Sequence, residues 1–289
     1  MNKGKYFLVL GIFIFIITSA SMYVRTYDGK LHLIFCDVGQ GDALLIRTPG
    51  RHEVLIDGGP NTKVLHCLDD HLPFWDRTLD IVLLTHPHYD HFRGLIDVLE
   101  RFHVLFIGHE NLSHKSEAYS VFAHAVEQEH TNERILQRGS RISFSDGVSL
   151  EILGPDQKFL HQENPDGFTG TDNPPSLIIH LTYNSFDLLV TGDSDGQDLV
   201  KFVSPSLSPD IFALPHHGSE HGFTKDAAQA VHPHIAVVSL GTDNSYGHPH
   251  ASVLELLKEG HVPLYRTDKQ GSIHFLVDTQ GRVSVQTEK

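Results

Sequence analysis

Four side chains able to ligate a divalent metal fall within six residues, in the segment Thr85-His86-Pro87-His88-Tyr89-Asp90-His91. Imidazole and carboxylate are the donors that zinc, manganese and related ions accept. The segment follows the apolar run Ile81-Val82-Leu83-Leu84. An H-x-H-x-D-H pattern at the end of a buried strand predicts a metal site, and with it an enzyme. His86 and His88 are two positions apart, so an extended stretch points both the same way. Asp90 and His91 lie beyond a turn and can face a neighbouring point. One pair per metal is the natural division.

Other apolar runs end in the same way. Leu188-Leu189-Val190 leads into Thr191-Gly192-Asp193, and the two oxygens of Asp193 could bridge two ions. Ile211-Phe212-Ala213-Leu214 leads into Pro215-His216-His217-Gly218-Ser219, where one histidine is expected to ligate and the other to shape the pocket. Ile235-Ala236-Val237-Val238-Ser239-Leu240 precedes Tyr246-Gly247-His248-Pro249-His250. His248 is the site candidate there, because His250 sits at the start of a predicted helix. Asp57, in Leu55-Ile56-Asp57-Gly58-Gly59, reads either as a carboxylate that orients a ligating histidine or as part of an Asp-Gly turn.

Many short elements must position these residues. Strands are predicted at 31–36, 43–47, 53–57, 81–85, 103–107, 148–153, 177–182, 186–191, 211–215, 234–240, 262–266 and 272–277. Helices are predicted at 94–102, 118–129, 195–203, 224–231 and 251–259, the last closed by Gly260. Some neighbouring strands are joined by short turns and others are separated by helices, which predicts α/β layers with mixed sheets. Residues 154–175 are rich in Gly, Pro, Asp and Asn and read as a long loop. No linker divides the chain after residue 31, so 26–289 is expected to form one domain.

At 289 residues and 40% hydrophobic composition, the chain can bury a full core. The formal charge of −14 argues against a basic groove that holds nucleic acid by neutralising phosphates. Bound divalent ions would add local positive charge, so a nucleic-acid substrate is still allowed. Cys36 and Cys67 are the two cysteines. They are expected to be separate, small buried residues, with pairing as the alternative if the protein is exported.

Residues 1–25 read as a signal or anchor segment. Lys3 and Lys5 precede an uncharged stretch from Tyr6 to Val24, which is 19 residues and just long enough to span a bilayer. Thr18-Ser19-Ala20 could serve as a cleavage site; the length of the run favours an uncleaved anchor. The positive-inside rule places the chain beyond Arg25 outside the cytoplasmic membrane, anchored or secreted.

The order IDGG, THPHYDH, GD, PHHGS and YGHPH resembles the metallo-β-lactamase superfamily. More narrowly, it resembles the β-lactamase-like domain of the DNA-uptake protein ComEC. Phe35-Cys36-Asp37-Val38-Gly39-Gln40-Gly41-Asp42, Asn173 to Leu177 and Tyr265-Arg266-Thr267-Asp268 carry this narrower likeness together with those motifs. The resemblance implies a four-layer αββα sandwich of two mixed sheets. It implies two divalent ions, zinc or manganese: one on His86 and His88, a second on Asp90 and His91, and Asp193 between them. His217 matches the final ligand better than His216. The superfamily's usual additional histidine has no counterpart; Asp172-Asn173-Pro174-Pro175-Ser176 lies in its place. Asp57, Asn173, Ser176 and His216 are then expected to support the ligands or touch substrate, with Asp90 and His248 as catalytic residues.

The leading expectation is a metal-dependent hydrolase of a phosphodiester substrate, DNA among the candidates. The alternatives are hydrolysis of a carbon-centred ester, lactam or thioester, and a non-catalytic, surface-anchored DNA-uptake partner. The only other partner inferred is the membrane, through an uncleaved N-terminal segment.

Overall fold

The computed structural model describes residues 3–26, 28–110, 115–163 and 175–289. The first sheet contains β1 (Leu31–Phe35), β2 (Leu44–Arg47), β3 (Glu53–Ile56), β5 (Ile81–Leu84), β7 (Phe106–His109), β8 (Asn132–Ile135), β16 (Ile273–Val277) and β17 (Val283–Thr287). Its order is β17-β16-β1-β2-β3-β5-β7-β8. The second contains β9 (Arg141–Ser143), β10 (Val148–Gly154), β11 (Ile178–Tyr183), β12 (Phe186–Val190), β13 (Ile211–Ala213), β14 (Ile235–Val238) and β15 (Leu264–Arg266), in the order β15-β14-β13-β12-β11-β10-β9. A small pair, β4 (Thr78–Leu79) and β6 (His103–Val104), stands apart.

Both sheets are mixed, and for one physical reason. Strands joined by short turns run antiparallel, as β1-β2-β3 and β10-β11-β12 do. Strands separated by a helix run parallel, as β3-β5-β7 and β12-β13-β14 do. Side-chain alternation then builds three apolar layers. Leu31, Leu33 and Phe35 of β1 face the second sheet and meet Leu150, Leu181 and Leu188. Ile34 faces the other way, into a core with Leu65, Leu68, Phe92 and Leu95. Those residues belong to α2 (Lys63–His71) and α3 (Tyr89–Leu99), and α4 (Glu117–Glu129) packs beside α3. Leu189 and Phe212 face Leu199, Ala227 and Leu257 on the far side. The result is the expected four-layer αββα sandwich.

Several elements depart from expectation. The predicted strand 103–107 is two strands, β6 and β7, and β8, β9 and β17 were not anticipated. β8 and β9 are too polar and short for an alternating apolar pattern, and all four β8 residues are exposed. The loop predicted at 154–175 contains a short helix, α5 (Gln157–Glu163); Asn173 lies outside the described residues. The third helix starts at Tyr89 rather than 94, with His88 as an N-cap whose side chain makes no capping bond. Without a Ser, Thr, Asp or Asn cap, that start carried no sequence signal. Cys36 and Cys67 are joined in a disulfide across 31 positions, which corrects the reading of two separate residues. Both face the layer between β1 and α2, where burial and pairing coincide. A helix α1 (Lys3–Thr26) precedes the sandwich.

Candidate metal centre

The C-terminal ends of β3, β5, β12, β13 and β14 gather at one edge of the sandwich. β3 delivers Asp57, β5 delivers Thr85 to His88, and the first turn of α3 carries Asp90 and His91. The turn after β12 carries Asp193, and a tight turn (Pro215–Gly218) after β13 carries His216 and His217. Three of these residues hold positive φ without being glycine: Asp57 at 59°, His216 at 49° and His217 at 53°. L-residues avoid that region, and such strain concentrates at functional sites. Close packing sets the rest. A Cβ at Gly94 would collide with the Gly58 carbonyl, so only glycine lets α3 approach the Asp57 loop.

Asp193 lies at the centre with its two oxygens facing different partners. Oδ2 is 3.7 Å from His86 Nε2 and 3.9 Å from His216 Nε2. Oδ1 is 3.4 Å from His91 Nε2 and 3.8 Å from His217 Nε2. One compact donor group is His86, His88 and Asp193, with donor atoms within 4.8 Å of one another. A second is Asp90, His91 and His217. The backbone N–H of Asp193 donates to Ser176 Oγ at 3.0 Å, which fixes the turn.

The imidazoles of the second group are held from behind. Asp57 accepts from the Thr85 N–H at 2.8 Å and the Thr85 hydroxyl at 2.7 Å, and its Oδ2 lies 2.9 Å from His91 Nδ1. His91 Nε2 therefore points into the cleft. His217 Nδ1 donates to the Ser239 carbonyl at 2.9 Å, leaving Nε2 at 3.2 Å from Asp90 Oδ2.

Electrostatics follow from this arrangement. Burial opposes the charged imidazole, but Asp193 and Asp57 hold His91 well above its usual range. Against the same burial, Asp193, Asp42 and Asp90 raise His217. Burial and the neighbouring His91 push His86 well down. Asp193 is buried, yet His91 and His217 keep its carboxyl well below the usual range. His86 Nε2, His91 Nε2 and Asp193 Oδ1 are buried and form no hydrogen bond. An unsatisfied buried polar atom costs about 1–3 kcal/mol. Such atoms in both donor groups, with carboxylates around them, fit bound cations. Mixed N and O donors suit zinc, manganese, iron or cobalt.

A family model for the metallo-beta-lactamase superfamily matches residues 36–242, most of the sandwich. The chain belongs to the metallo-β-lactamase superfamily. "ComE operon protein 3" of Bacillus subtilis (strain 168) is 28% identical over 278 residues, covering 86% of this chain and 33% of that protein. "Competence protein ComA" of Neisseria gonorrhoeae is 30% identical over 247 residues, covering 83% and 31%. The chain thus spans about a third of the length of these curated relatives. Among solved structures, a diphosphatase of the PhnP family aligns with TM-score 0.50 at 15% identity, covering 86% of this chain and 98% of that one. That likeness concerns the fold.

In this superfamily member, the structure brings His86, His88, Asp90, His91, Asp193 and His217 together at one edge. Asp57 lies against His91 Nδ1, and Ser176 Oγ accepts from the Asp193 N–H. His216 faces Asp193 on the His86 side. His248 stands farther out, its ring 6.4 Å from that of His217. Its Nδ1 is buried without a hydrogen bond, and burial with His217, His250 and His216 nearby pushes it down to about 4. Asp42, which the sequence reading did not place in the site, lies beside these residues. Its Oδ1 lies 3.6 Å from His217 Nδ1, and it completes two further donor groups with His91 and His217. The Gly39-Gln40-Gly41-Asp42 turn was the available signal: a Cβ at Gly41 would strike the Asp90 carbonyl, so this turn must lie against the centre.

Proposed function

We propose that this chain is a two-ion phosphodiesterase acting on nucleic acid, DNA foremost, outside the cytoplasmic membrane. The observation that carries the reading is the Asp193 carboxylate, divided between two donor groups, with His86 Nε2, His91 Nε2 and Asp193 Oδ1 buried and without a hydrogen bond. Zinc or manganese bound there would supply Lewis acidity and neutralise phosphoryl charge. The protein's net charge of −14 leaves the substrate's phosphates needing such compensation.

The chain's own residues do the rest. Asp57 and the Ser239 carbonyl hold Nδ1 of His91 and His217 from behind, so that Nε2 of each faces the cleft. His248, neutral near pH 7, donates a ring N–H hydrogen bond toward the leaving oxygen or a phosphate oxygen. The competence-protein relative supports a nucleic-acid substrate. The Cys36–Cys67 disulfide supports an oxidising compartment, because such bonds are rare in the cytosol.

The test is parallel turnover by the detergent-solubilised chain, loaded with manganese or zinc. DNA, a chromogenic phosphodiester, nitrocefin and a thioester are the substrates. Cleavage of DNA or the phosphodiester, lost in His88→Ala, is expected. Turnover of only nitrocefin or the thioester moves the enzyme to carbon-centred chemistry. No turnover at all, with ions bound, leaves the non-catalytic reading.

A further inference from the structure

Helix α1 contains an apolar window, Gly4–Ser21, long enough to cross a bilayer, and none of it is buried by protein. The ring of Phe15 in this window nevertheless meets that of Phe74, at 6.3 Å between centroids. Phe74 sits in the turn after α2, edge-on to Trp75 at 4.7 Å. Both rings are exposed, 55% for Phe74 and 43% for Trp75, where a water-facing turn would carry polar residues. Phe and Trp side by side against an apolar helix match the residue preference of a membrane interface. The surroundings are acidic and self-paired: Asp69 bonds Arg77 at 2.6 Å. Attachment here would therefore depend on ring insertion and not on attraction to anionic lipid.

The topology orients the domain. α2 begins just beyond the loop that carries Asp57 and runs nine residues to His71, which places the Phe74–Trp75 turn about 13 Å away along that helix. β1 likewise starts at Leu31, just after α1, and runs parallel to β3 toward the candidate-centre edge. Both routes put the aromatic turn and the entry of α1 at one end of the sandwich and Asp193 at the other.

We propose that the Phe74–Trp75 turn inserts into the bilayer that α1 crosses and holds the domain with its metal cleft directed away from the lipid. The cleft then draws substrate from the aqueous phase, which fits a soluble polyanion and disfavours a lipid-embedded ester. This inference rests on α1 remaining attached as an anchor.

Trp75 is the chain's single tryptophan, so its fluorescence reports this turn alone. The experiment reconstitutes the full chain in phosphatidylcholine vesicles with brominated acyl chains. Expected are a blue-shifted emission, strong quenching by bromine and little quenching by aqueous iodide. Phe74→Ser should shift the emission to the red and remove most of the bromine quenching, with hydrolysis unchanged. If the chain resists alkaline extraction while Trp75 responds only to iodide, the seating is overturned and the anchor stands. If alkaline extraction releases the chain, the anchor and the seating fall together.

Discussion

Two clusters of histidine behave as opposites. At the metal centre, carboxylates surround the imidazoles, raise His91 and His217, and leave His86 Nε2, His91 Nε2 and Asp193 Oδ1 without hydrogen bonds. On the outer face of the first sheet, His32, His71 and His274 gather under the end of α2. There His32 reaches Asp28 at 2.8 Å and His274 at 2.9 Å, and Arg47 donates to the His71 carbonyl at 3.0 Å. Burial, then the neighbouring histidines and Arg47, push His274 down to about 3. Burial and Arg47 also lower His71, and the same pair outweighs Asp28 to lower His32. Imidazoles alone therefore do not make a metal site. An excess of carboxylate and unsatisfied inward atoms set the candidate centre apart.

The change that bears hardest on this contrast is Asp193→Ala. It should empty both donor groups and lower turnover roughly 10³-fold, the equivalent of several kcal/mol of lost charge stabilisation. Elemental analysis of the variant checks it: a full complement of ions would break the picture of one shared carboxylate. Replacing Cys36 and Cys67 together with serine should cost about 2–4 kcal/mol of stability by denaturant titration. The bond ties the strand leading to the Asp42 turn to α2, so ion binding should weaken along with the fold.

Asp57→Asn should leave the fold intact and weaken ion affinity about 10–100-fold, as losing a ligand's orienting carboxylate does. Competition with a chromogenic chelator measures it, and an unchanged affinity would remove Asp57 from that role. The smallest effect belongs to the other cluster. His274 titrates lower in the folded state than its free value of 6.5, so the folded protein binds fewer protons. The stability this contributes is full above about pH 6.5 and is lost as pH falls toward 3. His274→Gln should flatten that acid loss in a series of melts and leave ion content unchanged. A loss of bound metal in this variant would show that the two clusters are not independent.

Much of the centre was legible because its ligands sit at strand ends, where an apolar run stops and polar residues begin. His86, Asp193 and His217 each follow such a boundary. Asp42 was harder to see: its preceding residues form a turn, and its relevance comes from proximity to His217 across the fold. The early start of α3 was hidden for a related reason. His88 occupies the N-cap position, yet its residue type follows metal chemistry and not helix capping. Exposed edges such as β8 carried no apolar period, and hydrogen bonding to β7 alone makes it a strand.

By itself, the sequence determined the layers and the donor inventory, because burial patterns and residue types are local properties. Only the tertiary structure decided which oxygen of Asp193 faces which histidines, that Asp57 lies behind His91, and that Cys36 meets Cys67. It also decided which histidines stand among carboxylates and which beside Arg47. Those outcomes depend on charges and distances between segments far apart in the chain, and electrostatic interaction is set by separation in space.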